Sequence, residues 1–175
     1  MNINGNKSKL VNKYKLKKGN NNINMIIKNR IEDLQYMFAE CENLENINEL
    51  KYLNTKYCAN FSYIFWQCSS LNDIKPLENW NVSNCKDFST MFCDCSLLKD
   101  IKPLENWNVS NCKDFSSMFE GCSLLDDIKP LKNGNISNCK DFSGMFKGCS
   151  TLKDINLFLE KWNLTKENNF KNIFI

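Results

Sequence analysis

The sequence predicts an α/β repeat protein, a solenoid whose 27-residue coils each contribute one short strand and one short helix. Three observations predict it. Met-Phe or Ile-Phe recurs at Met37-Phe38, Ile64-Phe65, Met91-Phe92, Met118-Phe119 and Met145-Phe146, always 27 residues apart. Leucine keeps the same interval at Leu44, Leu71, Leu98, Leu125 and Leu152, as does isoleucine at Ile47, Ile74, Ile101, Ile128 and Ile155. Within a copy, the apolar spacing changes character at a fixed glycine or aspartate, so each copy holds two kinds of element.

A sixth, partial copy follows, with Ile173-Phe174 placed 28 residues after Met145-Phe146 because "INLFLEKW" is one residue longer than "IKPLENW". The array therefore covers 27–175 as five full copies and one partial copy, and 1–26 precede it as a separate arm.

The first element is a helix. Phe88, Met91, Phe92 and Cys95 stand at i, i+3, i+4 and i+7, the spacing of one buried helical stripe. Asn84 is placed to cap it, and Asp87 puts negative charge near the positive end of its dipole. Gly121 and Gly148, or Asp94 in another copy, mark its end with residues that tolerate a left-handed backbone. The second element is a short strand around Leu98 to Lys102, closed by Pro103, which cannot donate to an interior ladder. Turn-rich "ENWNVSN" then leads to the next copy, with Trp107 and Val109 facing inward. The same apolar positions from Phe88 to Ile101 also fit one continuous helix. Against that reading, glycine interrupts at the same place in two copies, and 27 residues is short for paired-helix repeats, which take roughly 34 or more.

At 42% apolar and 12% aromatic residues, 175 residues suit one folded domain. The net charge of +3 is unevenly spread, because residues 1–31 carry eight Lys or Arg and no acid, whereas the other 144 carry 15 basic and 20 acidic side chains. No run of 18 apolar residues and no secretory signal is visible, so a cytoplasmic location is expected. Asn, Gly and Lys make the arm a flexible tail, and its Lys7–Lys18 cluster would suit nucleic acid or an anionic membrane.

The module "MFEGCSLL", beginning at Met118, and "WNVSNCKDFS", beginning at Trp107, resemble the BspA-like branch of leucine-rich repeats, the bacterial surface protein 26-residue repeat. The resemblance is close over 34–155. It implies a right-handed leucine-rich-repeat-like solenoid used for adhesion or protein binding, without catalytic residues. The chain departs from that family in its 27-residue period, in Asn-Cys-Lys-Asp where Val-Thr-Asn-Met is common, and in lacking an export signal.

Cysteine forms two columns, Cys41, Cys68, Cys95, Cys122 and Cys149 after the Met-Phe pair and Cys58, Cys85, Cys112 and Cys139 before it, with Cys93 outside both. Stacking would bring column neighbours to about 5 Å, within disulfide reach. Small buried core thiols are the simpler reading, because no CxxC or histidine suggests a metal and a reducing compartment is expected. Asn-x-Ser/Thr triplets occur at Asn6, Asn60, Asn81, Asn108, Asn135 and Asn163, and turn formation explains those that track the repeat better than glycosylation. With no histidine and no phosphate loop, catalysis is not expected, and Cys93 is the one nucleophile candidate outside the columns. No cofactor, metal or small-molecule substrate is expected.

The expected function is a non-catalytic protein-binding scaffold. Asp73, Asp100, Asp127 and Asp154 form one outward file on the expected concave face and Lys75, Lys102 and Lys129 another. Among tryptophans, Trp80, Trp107 and Trp162 share a repeat position and belong in the core; Trp66 is off that register and is the surface anchor candidate. Gly134 replaces the tryptophan in one copy and predicts a local dent. The alternatives are a cell-surface adhesion module, or an RNA or anionic-membrane binder acting through the arm. Self-association through the C-terminal end is also open, since solenoid ends need a polar cap.

Overall fold

The computed structural model describes residues 2–3, 6–7, 23–24, 30–153, 162 and 173–174. The chain divides into two compact units, Met1–Arg30 and Ile31–Ile175. In the first, β1 (Asn2–Ile3) pairs antiparallel with β2 (Asn6–Lys7) on one side and β3 (Ile23–Asn24) on the other. The stretch expected to be a flexible arm thus contains short strand pairs. Of the Lys7–Lys18 cluster, Lys7 lies on β2 and the remaining lysines lie outside the described residues.

In the second unit the 27-residue copies stack on one another. Parallel bridges link Asp33 to Asn60, Asn60 to Asp87, Asp87 to Asp114 and Asp114 to Asp141, one step per copy. Beyond each bridge every second amide reaches the following copy. The N–H groups of Phe88, Thr90, Phe92 and Asp94 donate to the carbonyls of Asp114, Ser116, Met118 and Glu120 at 3.0, 2.8, 2.9 and 2.7 Å. The amides between them close four-residue turns within the copy: Met91 donates to Phe88, Cys93 to Thr90 and Cys95 to Phe92, at 3.2, 3.3 and 3.0 Å. Thr90 and Asp94, third residues of the first and last of these turns, have φ of 58° and 60°, as in type II turns.

This ladder of turns replaces the helix expected over Phe88 to Cys95. The apolar spacing was a true report of burial, since Phe88, Met91, Phe92 and Cys95 are all buried. It does not report where backbone hydrogen bonds go, and tight turns return side chains to one face much as a helix does. Stacking supplies acceptors in the neighbouring copy, so the amides need no i to i−4 partner. Asn84 is likewise no helix cap: its side-chain amide donates to the Lys56 carbonyl at 2.7 Å. Asp87 accepts from the Ser89 amide at 2.8 Å and opens the ladder as an Asx turn.

The expected strand around Leu98 to Lys102 is also absent. Leu98 and Ile101 are buried, but the chain turns into the short 3-10 helix Lys102–Leu104, matched by Asn48–Tyr52, Lys75–Leu77 and Lys129–Asn133 in other copies. Proline sits near the start of Lys75–Leu77, Lys102–Leu104 and Lys129–Asn133, where its missing N–H costs no bond. The parallel ladder and the Asp and Lys files therefore occupy different parts of each copy.

Two phenylalanine columns fill the core. Phe61, Phe88, Phe115 and Phe142 stack with centroids 5.6, 5.6 and 5.7 Å apart. Phe38, Phe65, Phe92, Phe119, Phe146 and Phe174 form the second, at 5.6, 5.6, 5.7, 5.8 and 5.9 Å. The 28-residue step keeps register, because the Phe146 amide donates to the Ile173 carbonyl at 2.9 Å, as Phe119 does to Met145. Trp80, Trp107 and Trp162 are buried against the first column, and each indole N–H donates to a leucine carbonyl in the preceding copy. At Gly134, where the indole is missing, a cavity of about 30 Å³ remains, lined by Trp107, Phe115, Leu131 and Trp162 among others.

Candidate functional site

The 3-10 helices Lys75–Leu77, Lys102–Leu104 and Lys129–Asn133 each open on an aspartate, and Asn48–Tyr52 opens on Asn46. The Oδ1 atoms of Asp73, Asp100 and Asp127 accept from the amides of Lys75, Lys102 and Lys129, each at 2.8 Å. Asp73, Asp100 and Asp127 are therefore Asx caps, each with one oxygen committed to the backbone. All six side chains are exposed, and Asp154 lies outside the described residues.

Asp100, Lys102, Asp127 and Lys129 share an open groove of about 540 Å³, which Asp73 and Lys75 do not line. Its wall is completed by Leu97, Lys99, Glu105, Asp126 and Lys132. Lys99 pairs with Asp126 at 3.2 Å and Lys129 with Asp127 at 3.6 Å, both across exposed surface where an ion pair contributes under ~1 kcal/mol. Lys102, Lys132 and Glu105 have no ion-pair partner among the described residues. Leu97 is 45% exposed beside these charges and Leu124, one copy on, is 43% exposed. Their signal was present in the sequence: "SLL" doubles the leucine only in these two copies, where Ser70 and Thr151 stand elsewhere.

Trp66 is half-buried on the ladder segment, not on the groove. Its ring meets Tyr63 edge-on at 5.9 Å, and Tyr63 stacks on Tyr36 at 4.6 Å. The positions equivalent to Tyr63 run Thr90, Ser117 and Gly144 along the stack, and those equivalent to Trp66 run Cys93, Glu120 and Lys147, the last two paired at 3.4 Å. The ladder surface thus grades from aromatic to charged.

All ten cysteines are free. The column thiols serve as weak donors to the backbone: Cys95 Sγ lies 3.2 Å from the Phe65 carbonyl and Cys122 Sγ 3.2 Å from that of Phe92. Those of the other column point to the carbonyl two residues ahead, as Cys85 does to Asp87 at 3.2 Å. Cys93 is buried, and its thiol is pushed up to about 12 by loss of hydration first, then by Asp94 and Glu120. It lacks the thiolate character of a nucleophile. Among the described residues no group of three or more Cys, Asp or Glu is placed to hold a metal ion, and no helix is long and apolar enough to cross a membrane.

No curated protein matches the chain. One family model fits it twice in overlapping registers, over residues 8–126 and 99–175, as expected where copies repeat, and the chain belongs to that family, described as Mycoplasma protein of unknown function, DUF285.

Proposed function

We propose that the Ile31–Ile175 unit is a right-handed leucine-rich-repeat-like solenoid of the BspA-like kind, a non-catalytic scaffold that binds another protein. The observation that carries this reading is the groove where Asp100, Lys102, Asp127 and Lys129 surround exposed Leu97. An apolar anchor flanked by charges of both signs, held on stacked copies, supplies selectivity through charge register and affinity through leucine burial. Free, backbone-bonded thiols support a reducing, cytoplasmic setting for it.

The test is affinity capture with the intact chain and with a Lys75→Glu, Lys102→Glu, Lys129→Glu variant of equal thermal stability. A protein retained by the first and released by the second is the expected result. Equal retention sinks the groove as the binding face. Asp100→Asn refines the test, because it keeps the Oδ1 acceptor that caps the 3-10 helix and removes only the charge. Its stability should match the parent while its binding changes.

A further inference from the structure

The tryptophan column has one vacancy. Trp80, Trp107 and Trp162 face Phe61, Phe88 and Phe142 with ring centroids 5.3, 5.5 and 5.5 Å apart. Phe115, the remaining member of the first phenylalanine column, meets only Phe88 and Phe142 among the described rings, because Gly134 stands at the tryptophan position. The matching acceptor is unused as well. The carbonyls of Leu50, Leu77 and Leu131 each accept a backbone amide, from Leu53, Trp80 and Gly134, and also an indole N–H. The Leu104 carbonyl accepts the Trp107 amide at 3.1 Å and no second donor among the described residues, although Leu104 is only 3% exposed. A buried residue with a spare carbonyl lone pair and a phenylalanine without its indole thus border one apolar cavity.

We infer that this vacancy takes an indole ring presented by the protein partner, a tryptophan side chain that completes the column from outside. The inference rests on the groove reading, and continuity ties the two together, since Glu105 and Pro130 line both the groove and the cavity. A segment lying in the groove therefore passes the mouth of the vacancy. Chemistry selects the occupant. An aliphatic side chain or a phenyl ring would leave the Leu104 carbonyl without its second donor, whereas an indole offers a flat face to Phe115 and an N–H to that carbonyl. The equivalent acceptors serve an indole in three other copies. The empty space, about 30 Å³, is smaller than an indole, so its wall must yield on entry. Val109 is the part of the wall with room to move. It is half-buried, whereas Val82, its counterpart one copy earlier, is 2% exposed. In the groove, Lys102 and Lys132 stand without ion-pair partners among the described residues against one such acid, Glu105. That balance favours a partner segment with carboxylates beside its tryptophan.

Free indole titrated into the full chain tests the vacancy itself, with chemical-shift changes at Val109 and Phe115 as the readout. Saturable binding with Kd of about 1 mM or tighter is expected, and its absence overturns the inference. Two blocked peptides, Glu-Glu-Trp-Glu-Glu and Glu-Glu-Ala-Glu-Glu, then test the partner side chain on the unmodified chain. The tryptophan peptide should bind at least about tenfold more tightly, and equal binding overturns the inference while leaving the groove reading intact. The Lys75→Glu, Lys102→Glu, Lys129→Glu variant separates the two claims from the other side. If it binds the tryptophan peptide as the parent does, with the preference over alanine retained, the groove reading fails and the vacancy assignment is supported. Gly134→Trp supplies the missing ring from the chain itself, and it should lose indole binding and reduce the tryptophan peptide to the level of the alanine peptide. A folded Gly134→Trp that binds indole as the parent does overturns the assignment, and the peptide comparison decides the matter should that variant not fold.

Discussion

The indole N–H of Trp107 donates to the carbonyl of Leu77 at 3.2 Å, and the same ring stacks on Phe88 at 5.5 Å. One side chain thus ties its own copy to the previous copy's backbone and to the phenylalanine column. Leu77 also accepts the Trp80 amide at 3.0 Å, so loss of the indole donor does not orphan its carbonyl. Trp107→Phe should therefore cost only about 1 kcal/mol, the net value of a hydrogen bond. Trp107→Gly repeats the vacancy already present at Gly134 and should cost about 3–5 kcal/mol, as for large core truncations. Chemical denaturation separates the two; equal losses would mean that the hydrogen bond and not the ring carries the contact.

Two glycines should respond oppositely to alanine. Gly121 has φ of +75°, and a Cβ there would run into the Asp94 carboxylate of the preceding copy. Gly121→Ala should destabilise by about 1–2 kcal/mol or more, from the left-handed backbone and the displaced carboxylate together. Gly134 has φ of −61° and ψ of 130°, open to any residue, and it borders the 30 Å³ cavity. A Cβ there meets a Val109 methyl at 3.3 Å and the Leu131 carbonyl at 3.3 Å, and Val109 is only half-buried and can yield. Gly134→Ala should stabilise by about 0.5 kcal/mol through the unfolded chain. Thermal melts that move both variants in one direction would show that packing, not backbone conformation, sets the sign at one of them.

The same glycines show what the sequence discloses. Gly121 and Gly148 correctly mark a left-handed backbone position, because only φ sign is at stake in the choice of residue. Whether that position ends a helix or completes a type II turn depends on the partner of the residue's own amide, and for Gly121 this partner is the Lys147 carbonyl, 26 residues on. Non-glycine residues at equivalent positions, Glu40, Gln67 and Asp94, hold φ near +60° as well, which single-sequence reasoning reads as ordinary polar surface. The inward residues were legible for a different reason. Burial needs only a period, and 27 is constant from Phe38 to Phe146. The candidate groove was half legible: the Asp and Lys files are visible as repeats, but which copies enclose a recess is not, and Leu97 lines it while its counterpart Leu124 does not.

Alkaline pH should unfold this protein through its thiols. Burial raises Cys68, Cys93, Cys139 and Cys149 to about 12 and Cys58 to about 11, against an ordinary 9.0 in the unfolded chain. Cys95 and Cys122 are also pushed well up, by loss of hydration first and by their column neighbours second. Above pH 9 the unfolded chain releases thiol protons that the folded chain keeps, so the native state binds more protons and stability falls as pH rises. The contribution is fully present below the ordinary value of 9.0 and is lost between there and about 12. Guanidinium midpoints under reducing conditions at about pH 7.5, 9 and 10.5 should decline, and Cys122→Ala should decline less steeply by up to about 1.4 kcal/mol per pH unit. Parallel slopes in parent and variant would mean that Cys122 does not contribute to the alkaline loss. Thiol counting gives the complementary result: native protein should react slowly at all but the exposed Cys41, and unfolding without reductant should release all ten thiols. A count below ten after unfolding would mean that column neighbours are oxidised in the folded protein, and that the compartment is not a reducing one.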